Sequence, residues 1–370
     1  MRIQSVRLRK VSLPLKAPFV THQAELKERP LIIIEVRDDA GRIGYGEVTA
    51  FPDPFYTYET LDTAWHILED YLIPSLLKNG AEHPSDCAEQ SEGVQGHPMA
   101  KAGLEGSLWD LYGKQTGQSL ADLIGGTRSS VGAGAVISLG GSLENDVDRL
   151  KAEGFQRYKL KVVKGREREA ITTIQEIDPD LPIMIDANGQ YHPEDMDHLC
   201  SLDDHGLTMI EQPFAAGDFY WHKRLQKEMK TPICLDESIM SFQDAVQAVE
   251  LGSCRIINIK ISRVGGLTAA VKIHDFCRSR GVPVWCGGMV ESGISKAHNL
   301  ALASLPNFTI PGDLSGSTRY FHKDLVHPEI VMNRGSIEVP KKSGIGIQVD
   351  EEYLNEVTLA HKTFDESTPL

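Results

Sequence analysis

Five short runs decide the fold: YKLK (158–161), PIMIDAN (182–188), LTMIEQP (207–213), ICLDES (233–238) and IINIK (256–260). Each run is mostly apolar and carries a charge near its end, and these charges follow one another at intervals of 25, 25, 25 and 24 residues. A strand with its crossover helix is the repeat of a closed parallel barrel. We therefore expect the charges to meet at one mouth, where the strands end. The charged residues are Lys161, Asp186, Glu211, Asp236 and Lys260.

Similar runs continue the pattern on both sides. Seven helical patterns separate eight apolar runs, and no strong helical pattern follows the eighth. The predicted fold class is α/β: a modified TIM barrel of the (β/α)7β type. The runs lie at 131–138, 158–162, 183–188, 207–212, 233–237, 256–261, 282–287 and 308–312.

The chain before the barrel has a different pattern. Alternating runs, SVRLRKVSL and LIIIEVRD, joined by a turn at 38–41, predict an antiparallel meander, and helical patterns follow at 58–77 and 98–115. This part is predicted to be an α+β capping domain. The predicted division is a capping domain at 1–125, a barrel at 126–324, and an irregular tail from about 325 to 370 that returns to the capping domain.

Charge and composition exclude some classes of partner. The net charge of -14 and the pI near 5.4 disfavour nucleic acid and an anionic membrane surface. The N-terminal residues never form the apolar region of a signal peptide, and no run approaches the length of a membrane span. We expect a cytoplasmic protein. The six cysteines are scattered and are interpreted as reduced core thiols.

Three acids lie at the same relative height on consecutive predicted strands: Asp186, Glu211 and Asp236. Three neighbouring carboxylates do not all remain ionised without a counterion, so a hard divalent cation is expected. Mg²⁺ is favoured because the set contains only oxygen ligands, with Mn²⁺ as a substitute. Each acid taken singly is also compatible with a helix cap.

Lysines flank the three acids in the sequence. Lys159 and Lys161 point to the same side of their strand, and Lys260 lies in a matching register four strands away. Crowding between the first two, and a nearby cation, would favour the neutral amine that a general base needs. With a substrate carboxylate on the metal, Lys161 and Lys260 would stand on opposite sides of its α-carbon. The alternative is a set of solvent-exposed lysines at strand ends.

These residues, in this order, resemble the enolase superfamily and its muconate-lactonizing-enzyme-like group. Four segments are similar to the branch of o-succinylbenzoate synthases and N-succinylamino acid racemases. They are GEVTAFPDPFYTYET (46–60), KAGLEGSLWDLYGK (101–114), IINIKISRVGGL (256–267) and WCGGMVESGISKAHNLALASLPNFTIPGD (285–313).

The resemblance implies roles for the residues at the mouth. Asp186, Glu211 and Asp236 would be the metal ligands, Lys161 and Lys260 the acid/base pair, and cap loops at 18–23 and 51–56 would close over the substrate. An arginine three residues after Lys260 also occurs in racemising members and would acidify that lysine, although an exposed loop arginine is the alternative. The residues expected to support the site or contact substrate are Lys159, Asn188, Arg263, Gly288, Met289, Ser138, Phe19 and Tyr56.

Two reactions of that branch remain open. One is Mg²⁺-dependent dehydration of 2-succinyl-6-hydroxy-2,4-cyclohexadiene-1-carboxylate in menaquinone biosynthesis, and the other is racemisation of N-succinylamino acids, alone or in addition. The seventh run, VPVWCGG (282–288), lacks the histidine of mandelate racemases, and Asp313-Leu314-Ser315 lacks the second acid of dipeptide epimerases. Ile261 replaces the proline usual in this branch. A non-catalytic metabolite-binding barrel is the remote alternative. The expected partners are a small succinyl-bearing carboxylate and further copies of the chain, in a dimer or larger homo-oligomer.

Overall fold

The computed structural model describes residues 1–20, 25–137 and 142–365 and begins with an antiparallel sheet. Its first strands are β1 (Ile3–Val20), β2 (Glu25–Asp38) and β3 (Ile43–Val48), and each pairs with the next. The turn at 38–41 joins β2 to β3 and is closed by the Gly41 amide, which donates to the Asp38 carbonyl. The meander is therefore confirmed, but the prediction that this turn joins the two quoted runs is wrong. Those runs belong to β1 and β2, and the turn at 38–41 follows β2 instead of preceding it.

Helices cover one face of this sheet. The predicted helix at 58–77 is observed as α1 and α2 joined by a π-helical turn at Leu68–Leu72, and the helix predicted at 98–115 is α4. Thr60 caps α1 through a reciprocal hydrogen-bond pair with Thr63, and Gly117 ends α4 in a left-handed conformation. The helices are α1 (Leu61–Ile67), α2 (Ile73–Asn79), α3 (Pro84–Gln90), α4 (Pro98–Thr116) and α5 (Leu120–Leu123).

A parallel sheet forms the barrel. In the described part of the chain it has seven strands, which follow in spatial order as they do in sequence, and seven helices alternate with them. After β4 (Ser130–Gly132), the strands are β5 (Ala135–Ile137), β6 (Tyr158–Lys161), β7 (Ile183–Asp186), β8 (Ile210–Glu211), β9 (Ile233–Leu235), β10 (Ile256–Ile259) and β11 (Val284–Cys286). The helices are α6 (Leu143–Ala152), α7 (Glu167–Ile177), α8 (Met196–Cys200), α9 (Phe219–Glu228), α10 (Phe242–Leu251), α11 (Leu267–Ser279) and α12 (Gly293–Ala303).

The eighth predicted run closes the ring without forming a regular strand. Phe308 makes a parallel bridge to Val284 in β11, and Gly312 makes one to Ala133 beside β5. Pro311 interrupts the run and has no amide hydrogen to donate to a sheet. The modified barrel is confirmed, with its eighth strand reduced to these bridges. The first run is also divided, because β4 pairs with a later hairpin instead of with the barrel sheet.

The barrel strands alternate between two environments. One set of side chains, such as Leu160, Ile185 and Ile259, packs outward against the helices in a continuous apolar core. The other set fills the interior with Met184, Met209, Cys234, Ile256 and Trp285. The charged residues that end the strands share the parity of this interior layer. The six cysteines form no disulfide bonds and five of them are buried, in agreement with the prediction.

The C-terminal region lies against both parts of the chain. Short pairs are formed by β12 with β15 and by β13 with β14, and β14 also pairs with β4. The last strand, β16, runs antiparallel to β1 as the fourth strand of the first sheet. Within the described residues, no helix combines the length and apolarity needed to cross a membrane. The bounds are β12 (Val326–His327), β13 (Met332–Asn333), β14 (Ser336–Glu338), β15 (Gln348–Val349), α13 (Glu351–Glu356) and β16 (Thr358–Asp365).

Candidate active site

The strand register brings Lys161, Asp186 and Glu211 to one level. Lys161 pairs with Asp186 across β6 and β7, and Asp186 pairs with Glu211 across β7 and β8. Asp236 directly follows β9, and Lys260 directly follows β10. The five residues therefore lie at the C-terminal ends of five adjacent strands, but not all in one register. Glu211 pairs with Cys234 and Cys234 with Ile256, so Asp236 and Lys260 lie two and four residues further along their strands. The three carboxylates are all at least 95% buried.

Lys161 is the accessible member of the KLK pair, with 49% of its side chain exposed. Its Nζ donates to Asp186 Oδ2 and to Asn188 Oδ1, at 2.9 Å in both cases. Asn188 in turn donates from Nδ2 to Glu237 Oε1 at 3.0 Å. Burial, and then the charge of Asp236, raise the pKa of Glu237 to about 7. The amine at β6 is thus held toward the carboxylates while part of it remains open to solvent.

Lys260, at the other end of the row of carboxylates, is more buried than Lys161. Its Nζ donates to Asp236 Oδ2 and to the phenol oxygen of Tyr56, each at 2.9 Å. Burial lowers the pKa of Lys260, but the charge of Asp236, followed by that of Tyr56, raises it by more, so the net pKa is raised. Tyr56 comes from the loop after β3. A cap residue therefore contacts a barrel lysine directly.

Arg263 is fully buried, so its interpretation as an exposed loop arginine is wrong. Its Nη1 donates to Asp236 Oδ1 and, at 3.0 Å, to the Tyr56 oxygen. Its remaining donors are fixed by the carbonyls of Ile239 and Asn258, both at 2.8 Å. Arg263 thus places a permanent positive charge beside Lys260, and this charge opposes the raised pKa of that lysine.

Lys159 does not fit the expectation of a neutral amine. Only 5% of its side chain is exposed, and its Nζ lies 2.8 Å from Glu211 Oε2, 2.5 Å from Asp313 Oδ2 and 3.5 Å from Asp186 Oδ2. Burial lowers the pKa of Lys159, but the three carboxylates, Asp313 first, outweigh burial and raise it well above its usual value. The prediction that crowding favours the neutral form is therefore wrong for Lys159, because buried acids surround it.

The three acids differ in their electrostatic environment. Burial and the charge of Asp186 raise the pKa of Glu211 to about 8. Burial also raises the pKa of Asp236, but Arg263 and Lys260 lower it by more, so the net pKa is lowered. The pKa of Asp186 is lowered too, because Lys159 and Lys161 outweigh burial.

The donor set suits a hard cation. Three buried carboxylates at the ends of adjacent strands supply only oxygen atoms, and Glu211 Oε2 receives no hydrogen bond of sound geometry although Lys159 Nζ lies nearby. In the arrangement that these side chains adopt, no group of three or more Asp, Glu, His or Cys residues within the described ranges has the spacing of ligands around one ion. The ammonium of Lys159 lies against two of the acids, and Lys260 and Arg263 lie against the third.

Strained backbone surrounds the mouth. Asn188, Gln212 and Val290 have φ values of 45°, 39° and 57°, and each follows the end of a barrel strand. Residues other than glycine rarely adopt this region, and a β-branched residue such as Val290 does so at a particular cost. Such strain typically persists where surrounding contacts impose it at a functional site.

The supporting residues that the structure describes lie around the mouth. Phe19 stacks on Phe51 with ring centroids 6.2 Å apart, and Tyr56 packs edge-on against the same ring. Met289 belongs to this apolar cluster. At Gly288, a Cβ would lie 2.6 Å from the Asp313 carbonyl oxygen, so the backbone approach there requires glycine. Ser138, and residues 21–23 of the predicted cap loop, lie outside the described residues.

Three charged or polar neighbours were missed by the sequence prediction. Asn258 donates to Glu211 Oε1 at 3.0 Å, and its place two residues before Lys260, on the same strand face, was a usable signal. Asp313 pairs with Lys159 and with Arg157. No spacing rule links Arg157, which precedes β6, to an acid more than 150 positions later.

Family models match the chain in two segments. Residues 3–125 match the N-terminal domain of the mandelate racemase / muconate lactonizing enzyme family, and residues 142–353 match the enolase C-terminal domain-like family. The chain therefore belongs to the enolase superfamily, as the sequence resemblance implied, and it is a superfamily enzyme.

Its relatives fall into the branch that the motifs indicated. The chain is similar to an o-succinylbenzoate synthase of Bacillus subtilis (strain 168), at 47% identity over 96% of each chain. It is also similar to an N-succinylamino acid racemase of an Amycolatopsis species, at 39% identity over 97% of this chain and 98% of the relative. The solved structure of an enolase superfamily member from Listeria innocua Clip11262 is 41% identical, covers 99% of both chains and has a TM-score of 0.96.

Proposed function

We propose that the protein is an o-succinylbenzoate synthase that removes an α-proton from a carboxylate substrate. The observation that carries this proposal is the placement of Lys161 and Lys260 at opposite ends of a row of three buried carboxylates. Relatives at 44–47% identity over nearly the whole chain carry that activity in their names.

Asp186, Glu211 and Asp236 are the proposed ligands of Mg²⁺, which Mn²⁺ would replace. When bound, the cation would supply positive charge beside the substrate carboxylate and so acidify the α-proton. The protein supplies the remaining functions: it orients the substrate, removes the proton and holds further positive charge near the anion that forms.

Lys161 is the proposed base for dehydration. Its Nζ takes the α-proton, and the electron pair of the broken C–H bond forms the new double bond as the hydroxyl group leaves. The resulting ammonium returns its proton to the departing hydroxide, so the products are the aromatic dicarboxylate and water. Only one lysine transfers protons, while Lys260 contributes fixed positive charge on the other side.

Racemisation of N-succinylamino acids is the second proposed activity, because Lys260 would serve as a second acid/base group. Lys260 and Arg263 both donate hydrogen bonds to the Tyr56 oxygen, and the charge of Arg263 opposes the raised pKa of Lys260. Racemisation needs a proton removed on one face and another delivered on the opposite face. The relatives at 37% and 39% identity are named as N-succinylamino acid racemases.

The wider expectations belong to the same proposal. The substrate would be a small succinyl-bearing carboxylate, and the apolar cluster of Phe19, Phe51 and Met289 would face its distal part. Assembly into a homo-oligomer, location in the cytoplasm and the absence of nucleic-acid partners stay predictions. So does the division into domains near residue 125.

Turnover of both substrates tests the proposal. Purified protein with Mg²⁺ should dehydrate the cyclohexadiene carboxylate, and chelation should abolish turnover. Lys161→Ala should lose dehydration by at least about a hundredfold, the usual contribution of a general base. Lys164→Ala is the matched control, because Lys164 is a half-exposed lysine in the loop after the same strand, paired with Asp195. Near-normal dehydration by Lys161→Ala would refute the assignment.

A further inference from the structure

A carboxylate from the end of the ring-closing segment lies among the cations inside the barrel. Asp313 contacts Lys159 through Oδ2 at 2.5 Å and Arg157 through Oδ1. The side chains of both cations are at most 5% exposed. Asp313 is neither a proposed metal ligand nor a proposed base. Its position nevertheless makes it the nearest anionic neighbour of a lysine that also touches the candidate ligands.

Lys159 is shared between two groups of acids. One is Asp313 at 2.5 Å, which is not a candidate ligand, and the other consists of the candidate ligands Glu211 at 2.8 Å and Asp186 at 3.5 Å. The ring of Trp285 lies under the ammonium, 4.8 Å from Nζ to the ring centroid, and limits its movement in that direction. The ammonium is therefore confined, and its position among the carboxylates depends on their relative charge.

We propose that Asp313 is a positioning residue that draws Lys159 away from Asp186 and Glu211 and thereby sets the affinity of the site for Mg²⁺. This inference rests on the proposed function only for the assignment of the metal ligands. A buried ammonium that contacts two of the ligands competes with a metal cation for the same oxygen atoms. Asp313 supplies Lys159 with an anionic partner that is not a candidate ligand, which reduces that competition.

Arg157 gives the inference a directional test. Its guanidinium contacts Asp313, and it is fixed independently by the Pro311 carbonyl at 2.7 Å and by Met184 Sδ at 2.9 Å. Arg157 therefore neutralises part of the negative charge of Asp313. Removing Arg157 would leave Asp313 paired with Lys159 alone, which strengthens the pull on that lysine. Loss of Asp313 and loss of Arg157 should consequently have different effects on metal binding.

The experiment is a calorimetric titration of the metal-free, full-length protein with MgCl₂. Asp313→Asn should weaken Mg²⁺ binding about tenfold, as expected for one charge acting at short range in a partly buried site. Arg157→Met should bind Mg²⁺ at least as tightly as the wild type. In a Lys159→Met background, Asp313→Asn should change the affinity less than threefold, because the effect acts through Lys159.

The control is Asp110→Asn, which removes a buried acid paired with Lys114 in the cap, away from these residues. Circular dichroism checks that every variant is folded, and if Asp313→Asn does not fold, the Arg157→Met titration decides. Unchanged affinity in Asp313→Asn, or a tenfold loss in Arg157→Met, would overturn the inference. If the wild type itself binds no Mg²⁺, the metal assignment fails instead, so the two failures are distinguishable.

Discussion

Replacing Arg29 with methionine should destabilise the protein strongly, because this arginine joins the cap to the barrel. Arg29 lies in β2 and has no exposed surface. Its guanidinium carbon stands 4.2 Å from the centroid of the Phe51 ring. Burial lowers the pKa of Arg29 to about 10, and the nearby charges of Glu47 and Glu291 act in the opposite direction. Among the described residues, its side-chain hydrogen bonds go to main-chain carbonyls, those of Pro30, Thr49, Ala50, Met289 and Val290.

The size of the effect follows from these acceptors. Methionine would fill part of the volume but donate nothing, and the carbonyls of Thr49, Ala50 and Val290 would lose a buried donor. Each unsatisfied group costs about 1 kcal/mol or more, so the free energy of unfolding should fall by about 3 to 5 kcal/mol. Val290 would also lose a contact that holds its strained backbone, so we expect KM to rise through displacement of the neighbouring Met289.

Urea unfolding followed by circular dichroism measures the change. Arg149→Met is the matched control, because Arg149 is half-exposed, pairs with Asp146 and Glu153 on one helix, and should cost less than about 0.5 kcal/mol. A loss of less than about 1 kcal/mol for Arg29→Met, close to that of the control, would refute the reasoning.

Three further variants test other parts of the structure. Burial raises the pKa of Glu47 from 4.5 to about 7. The folded state therefore favours protonated Glu47. The stability that this protonation contributes is present in full below about pH 4.5 and is lost as the pH rises through about 7. Glu47→Gln should flatten this dependence by up to about 3 kcal/mol in unfolding measured from pH 4.5 to 8, and an unchanged slope would contradict it. Gly46→Ala should cost at least about 2 kcal/mol, because its Cβ would lie 2.0 Å from the Gly103 oxygen, whereas Gly93→Ala meets no atom within 4 Å and should cost under about 1 kcal/mol in the same assay. Tyr56→Phe should lower kcat/KM for racemisation about tenfold by removing the oxygen bound to Lys260 and Arg263, and equal rates would exclude that role.

Much of the fold follows from local patterns. The 25-residue spacing identified the strands that carry Lys161, Asp186 and Glu211, because a βα unit has a narrow range of lengths and strand ends meet at one edge. The same pattern predicted that Lys260 follows the end of its strand, as it does, but not its register, because the Cα partner of Cys234 in β10 is Ile256. The interrupted eighth strand was less predictable, because Pro311 permits bridges on either side but no continuous ladder.

The electrostatic state of the site could not be predicted in the same way. The sequence pattern places only a second lysine and a cation near Lys159, and both favour the neutral amine. The decisive partner, Asp313, lies far along the chain and enters the barrel through a segment with no regular strand geometry. The contact of Tyr56 with Lys260 also spans 204 positions and depends on how the cap sits on the barrel. Periodicity carries no information about such pairs.

The burial of Arg263 illustrates the same limit. In the sequence SRVGG it is indistinguishable from a loop arginine, since turn residues surround it. In the structure its guanidinium is fixed by four acceptors from three segments of the chain, and these include the candidate ligand Asp236. The sequence indicates that a positive charge lies near Lys260. Only the structure shows that the guanidinium points to Asp236 and Tyr56.

The central claim is that Lys161 and Lys260 reach the α-carbon from opposite faces, and hydrogen exchange at that carbon tests it most directly. Each enantiomer of an N-succinylamino acid is incubated with Mg²⁺ in deuterated water, and loss of the α-proton signal is followed by NMR. Lys161→Ala should abolish exchange of one enantiomer and Lys260→Ala exchange of the other, with Mg²⁺ binding retained in both. Exchange of both enantiomers at wild-type rates by either variant would contradict the account.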